Sequence, residues 1–97
     1  MKYYVLEGIN IEHNYKQEEY AKIVKAHQEY LQKGFEDGTI LVAGPKSGGG
    51  GGIIILKSNE ILKFCNKDPF INLGVQEYRI SQFDLFQCQK ELEKWFK

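Results

Sequence analysis

Cysteine and histidine are scarce here, two of each among 97 residues, and the scarcity removes several kinds of chemistry. Cys65 and Cys88 stand far apart with no C-x-x-C spacing, so neither a redox motif nor a disulfide framework is indicated and both read as plain, partly buried thiols. His13 and His27 lie at no metal-ligand spacing from each other or from the cysteines, so no metal and no bound cofactor is expected. Net charge is also missing. Thirteen basic residues balance thirteen acidic ones and neither sign is gathered into a block, which leaves no footprint for nucleic acid or an anionic membrane. No apolar run approaches the length of a membrane helix, and Glu7 interrupts the amino-terminal apolar stretch too early for a signal-peptide core. The expectation is a cytoplasmic protein.

What is present is ordinary for a folded chain: 42% hydrophobic residues, 13% of all residues aromatic, 27% charged. That length and composition suit one domain, residues 1–97, with a single core.

Lys2 to Ile9 (KYYVLEGI) is rich in aromatic and β-branched residues and predicts a strand. Gln17 to Phe35 predicts the longest helix, because Tyr20, Ile23, Val24, His27, Leu31 and Phe35 recur at steps of three and four, with Gly34 and Gly38 marking its end. Thr39 to Ala43 and Ile53 to Leu56 predict two further strands. Ser58 is placed to cap a short helix through Asn66, which Asp68-Pro69 then breaks, because a residue before proline is pushed out of the α region. Val75 to Phe83 predicts the last strand. Beyond it Leu85, Cys88, Leu92 and Trp95 form one apolar stripe and predict a closing helix. The order gives an α+β fold, the ferredoxin-like βαββαβ arrangement with an antiparallel sheet and an extra C-terminal helix.

The strands YYVL, ILVA and IIIL are apolar on both sides, whereas a strand with one solvated face should alternate. Helices on one face leave the other uncovered. A homodimer through that sheet face is therefore expected.

Two side chains draw attention as chemistry. His27 falls within the apolar stripe of the long helix, where an imidazole needs partners: it is either a core histidine bonded to a backbone carbonyl, or a general base in a pocket. Asp68 is either the turn or N-cap residue that Asp before Pro commonly is, or the carboxylate that fixes the imidazole's tautomer. The run Gly48–Gly52 fails as a nucleotide loop, since Pro45 precedes Lys46-Ser47 and a strand follows where a phosphate loop needs a helix. It remains a mobile hairpin tip or the rim of a small-molecule pocket, with Gly44, Pro45, Lys46 and Ser47 as candidate substrate-binding residues. Tyr30, one turn from His27, is a further candidate.

H-Q-E-Y-L at His27–Leu31, A-G-P at Ala43–Pro45, D-P-F at Asp68–Phe70 and E-Y-R-I at Glu77–Ile80 follow one another in the order and spacing of the YCII-related domain family, which the chain resembles up to about Phe83. The resemblance implies a ferredoxin-like domain pairing through its sheets as a dimeric α/β barrel, in agreement with the strand argument. It also implies that His27 and Asp68 match a proposed catalytic pair. Some relatives eliminate hydrogen chloride from a chlorinated aromatic intermediate, and similar barrels isomerise lactones, so a lyase or isomerase acting on a small cyclic or carbonyl-bearing molecule is the implied activity. A non-catalytic ligand-binding or dimerisation module with a structural His–Asp pair is the alternative. The glycine run and the C-terminal extension depart from the family pattern.

Overall fold

Alternation in the first strand sets the architecture. In a computed structural model describing residues 1–97, β1 (Lys2–Asn10) buries Tyr4, Leu6 and Gly8 and leaves Tyr3, Val5, Glu7 and Ile9 on the opposite face, as the two-residue period of a strand requires. It is followed by α1 (Gln17–Glu36), β2 (Ile40–Pro45), β3 (Gly52–Ser58), α2 (Ile61–Lys67), α3 (Pro69–Asn72) and β4 (Gln76–Phe83). The sheet order is β2-β3-β1-β4 and every pair is antiparallel. This is the ferredoxin-like arrangement expected from the order of elements.

Leu6 and Leu56 are fully buried and stand at the centre of a cluster with Tyr4, Ile40, Ile54 and Cys65. A second cluster, Ile23, Phe70 and Val75, joins α1 to α3 and the start of β4. Each fully buried aliphatic side chain contributes about 1.5–3 kcal/mol relative to exposure, so these two clusters fix the helices on one face. Gly34 lets α1 approach the sheet closely, since a Cβ there would lie 2.4 Å from Ile40 Cδ1.

Three expectations need correction. The helix predicted from Ser58 to Asn66 starts later, with Glu60 at its N-cap, because Ser58 Oγ accepts a hydrogen bond from the Glu60 amide and forms a turn ahead of it. After the break at Asp68 a short helix resumes at Pro69, whose fixed φ suits a first helical position. The closing helix is absent: residues from Leu85 on are irregular apart from a 3₁₀ turn at Lys90–Leu92. A short helix is marginal in water unless its apolar face is covered, and here cover exists only at the end. Trp95 and Phe96 pack on Tyr3, Trp95 Nε1 donates to Gly38 O at 2.8 Å and Lys57 Nζ donates to Trp95 O at 2.5 Å. Leu85 and Phe86 find no such cover, at 39% and 90% exposed.

No helix is long and apolar enough to cross a membrane. The open face of the sheet presents Val5, Ile9, Ile53 and Ile55, all half-buried, and the exposed Val42. Glu7 lies among them, held by Lys46 Nζ at 2.7 Å and Arg79 Nη1 at 3.6 Å. Those cations keep its carboxyl below the usual range, Lys46 contributing most.

Candidate functional site

Asp68 is the one polar side chain at zero exposure, so each of its oxygens needs partners. Oδ1 accepts from the backbone amide of Phe70 at 2.9 Å and from His27 Nδ1 at 2.8 Å, while Oδ2 accepts from the Tyr78 hydroxyl at 2.5 Å. The same carboxylate therefore caps α3 and holds the imidazole. The two readings of Asp68, cap and histidine partner, are both true of one oxygen.

An ionised carboxylate only accepts, so this arrangement assigns the proton of the neutral imidazole to Nδ1 and leaves the lone pair on Nε2. Nε2 makes no hydrogen bond within the chain, and no buried side-chain nitrogen or oxygen lacks a partner. It therefore opens on the cavity that His27 lines. The imidazole lies flat on Phe70, ring centroids 3.7 Å apart and planes 4° apart, and its side chain is only 14% exposed. Because Asp68 binds both the Phe70 amide and the imidazole, one residue sets the ring and the surface it lies on.

The cavity encloses about 490 Å³, within the range of small-molecule sites. Its walls are Val24, His27, Leu31 and Phe35 from α1, Ala43, Gly44 and Pro45 from β2, Gly51 to Ile54 from the hairpin and β3, and Phe70 and Tyr78. Gln28, Gln32 and Gln76 complete it. Phe35, expected in the core stripe, is 41% exposed and stands at the cavity wall instead.

Four motif pieces distant in sequence, H-Q-E-Y-L, A-G-P, D-P-F and E-Y-R-I, thus meet around one cavity. The family model for the YCII-related domain matches residues 1–84. The chain belongs to the YCII-related domain family. Comparison with curated proteins gives no match. In this YCII-related domain the matched segment contains the whole cavity wall, and only the C-terminal extension lies outside it.

Not every candidate residue of the YCII-related domain comes to the cavity. Gly44 and Pro45 line it. Tyr30 does not: its hydroxyl donates to Phe64 O at 2.6 Å, and burial, reinforced by the Asp68 charge, pushes it up to about 12. Lys46 is directed to Glu7 on the other face of the sheet, and Ser47 is exposed in the hairpin turn. Gly51 shows what the glycine run is for. Its φ of +144° suits no L side chain, and a Cβ there would sit 1.7 Å from Gly8 O. Asn10 N donates to Gly50 O, Lys46 N to Gly51 O and Gly49 N to Lys46 O, so the hairpin is pinned against β1 as a fixed part of the rim.

Two contributors were missed by residue-by-residue reading although both lay inside quoted motifs: Phe70 beneath His27 and Tyr78 on Asp68. Burial and the adjacent Asp68 charge push the Tyr78 hydroxyl far above its ordinary range, so it stays a donor. Burial likewise raises Cys65 to about 11, an inert thiol. No three His, Cys, Asp or Glu side chains gather as a metal site.

Proposed function

We propose that this YCII-related domain is a small acid–base enzyme, of lyase or isomerase type, acting on a small cyclic or carbonyl-bearing molecule, halogenated aromatics included. His27 Nε2 removes a proton from the bound molecule, and Asp68 stabilises the imidazolium that results and holds the ring in place. The proton then returns to another atom of the substrate in an isomerisation, or is released with the leaving group in an elimination. The observation that carries this reading is the 2.8 Å bond from His27 Nδ1 to Asp68 Oδ1 beneath an unpartnered Nε2 on a cavity. Such positioned proton transfer contributes typically about 10²–10⁴-fold in rate.

The three bonds that Asp68 accepts favour a second reading, a non-catalytic binding module in which the pair is structural. Asp68→Asn separates them. An amide still caps α3 but cannot accept from both His27 and Tyr78 without presenting its own donor to one of them. On a substrate found by screening, the acid–base reading expects turnover to fall by at least about tenfold in the variant while it remains folded; the structural reading expects a loss of stability with no activity to lose.

The same reading takes the working unit to be a homodimer. Only nine hydrophobic residues are buried in the single chain, and the aliphatic side chains of the open face are better covered by a second copy than by water. Glu7 is already neutralised by Lys46 and Arg79, which lowers the cost of burying it.

A further inference from the structure

The side chains of the cavity wall include no lysine, arginine, aspartate or glutamate. A carboxylate or phosphate brought there would lose its hydration and find no cation in exchange, a loss of several kcal/mol unless paired. The formal charge beneath the floor has the wrong sign for an anion: Asp68, bonded directly to His27. Lys25, Lys33, Lys46 and Arg79 each adjoin a wall residue in sequence, yet none of them lines the cavity; Lys46 and Arg79 are instead directed to Glu7 on the far face of the sheet, at 2.7 Å and 3.6 Å. A cationic ligand fares no better, because Asp68 is fully buried and accepts three bonds from the chain itself.

What the wall does offer is neutral and two-sided. Gln28 and Gln32 stand one helical turn apart on α1, and Gln76 faces in from β4 with its Nε2 engaged by Asn10 Oδ1 at 2.8 Å, leaving its carbonyl available. Primary amides both donate and accept, which suits hydroxyl and keto groups. Half of the sixteen wall residues are hydrophobic, and the stacked His27–Phe70 pair gives a flat surface for a ring.

We infer that this cavity takes an uncharged, ring-sized hydroxy or keto compound and rejects the same ring bearing a carboxylate or phosphate. The inference narrows the substrate class of the acid–base site and rests on that reading for its functional meaning, but its test needs no turnover. Catechol and 3,4-dihydroxybenzoate are titrated into the protein at about pH 8, where a carboxyl group is ionised and a phenol is not. Binding is read by calorimetry and located by the His27 ring proton signals. Catechol is expected to shift those signals and to bind at least about tenfold more tightly than the benzoate, a difference of about 1.4 kcal/mol. Gln32→Arg, at an exposed position on the cavity wall, should strengthen benzoate binding by about tenfold by supplying the missing cation.

Equal or tighter binding of the benzoate to the unaltered protein overturns the inference, as does failure of catechol to shift the His27 signals. If catechol is preferred but turnover of a screened substrate ignores His27→Gln, the ligand class stands and the acid–base reading falls. If the benzoate is preferred and turnover collapses in His27→Gln, the reverse holds.

Discussion

The Tyr78 hydroxyl donates to Asp68 Oδ2 at 2.5 Å, the oxygen that His27 does not use. Tyr78 on β4 thereby completes the bonding of a carboxylate that has no contact with water. Tyr78→Phe leaves Oδ2 buried and unsatisfied, at a cost of about 1–3 kcal/mol. Urea unfolding measures this loss, and a midpoint unchanged from that of the unaltered protein contradicts the assigned role.

Alkaline pH should weaken the fold in a defined window. Tyr30 is raised from 10.0 to about 12 and Cys65 from 9.0 to about 11, with Tyr78 raised as well. Below the unfolded values all three are protonated in both states and the stability they confer is fully present. As pH rises past those values the unfolded chain releases protons that the folded one retains, so the stability is progressively lost up to the folded values. Urea midpoints should therefore fall between about pH 9 and pH 12, and less steeply in Tyr30→Phe. A flat midpoint over that interval contradicts the burial of these groups.

Gly51→Ala puts a methyl into Gly8 O and forces a side chain to a φ of +144°. The expected loss exceeds about 1 kcal/mol. Gly48→Ala, with open space around its Cβ and no positive φ, is the control and should be within about 0.5 kcal/mol of the parent. Equal midpoints for the two variants contradict a pinned hairpin.

Truncation after Asp84 removes the rings of Trp95 and Phe96 from Tyr3, with centroids 5.8 Å and 4.8 Å away, and leaves Tyr3 only its contact with Phe83 at 6.0 Å. The domain should still fold but lose on the order of 2 kcal/mol, given the worth of aromatic pairs. Thermal unfolding of the truncated and full chains makes the comparison, and identical midpoints contradict the packing described.

Ile55→Lys places a charge at the centre of the open sheet face. The unaltered chain should scatter light as a dimer at micromolar concentration and the variant as a monomer. A monomer mass for the unaltered chain contradicts the pairing.

Much of this was legible in the sequence, for reasons visible in particular residues. The aliphatic runs of β1, β2 and β3 and the three-four spacing from Tyr20 to Leu31 reflect burial directly, so the elements and their order could be read. His27 could be picked out because a polar group in an apolar stripe needs a partner, and Asp68 because it precedes Pro69 and a carboxylate is the natural companion of an imidazole. The motifs around them joined the two as a pair. Direction was harder. Lys46 follows the rim residue Pro45, yet strand pairing sends it to Glu7 on the other face. Tyr30 is one turn from His27, yet the rotation of α1 turns it to Phe64. The stripe from Leu85 to Trp95 resembles a helix face, but only tertiary contacts decide whether such a face is covered. Tyr78 reaches Asp68 across ten residues of sequence through pairing of β4 with β1, a relation that no local pattern encodes.

The acid–base account stands or falls on the lone pair at His27 Nε2. The most direct measurement is kcat/KM of His27→Gln against the unaltered protein on a substrate found by screening, with circular dichroism confirming the fold of both. A fall of about 10²–10⁴-fold is predicted. Undiminished turnover in the folded variant would contradict it.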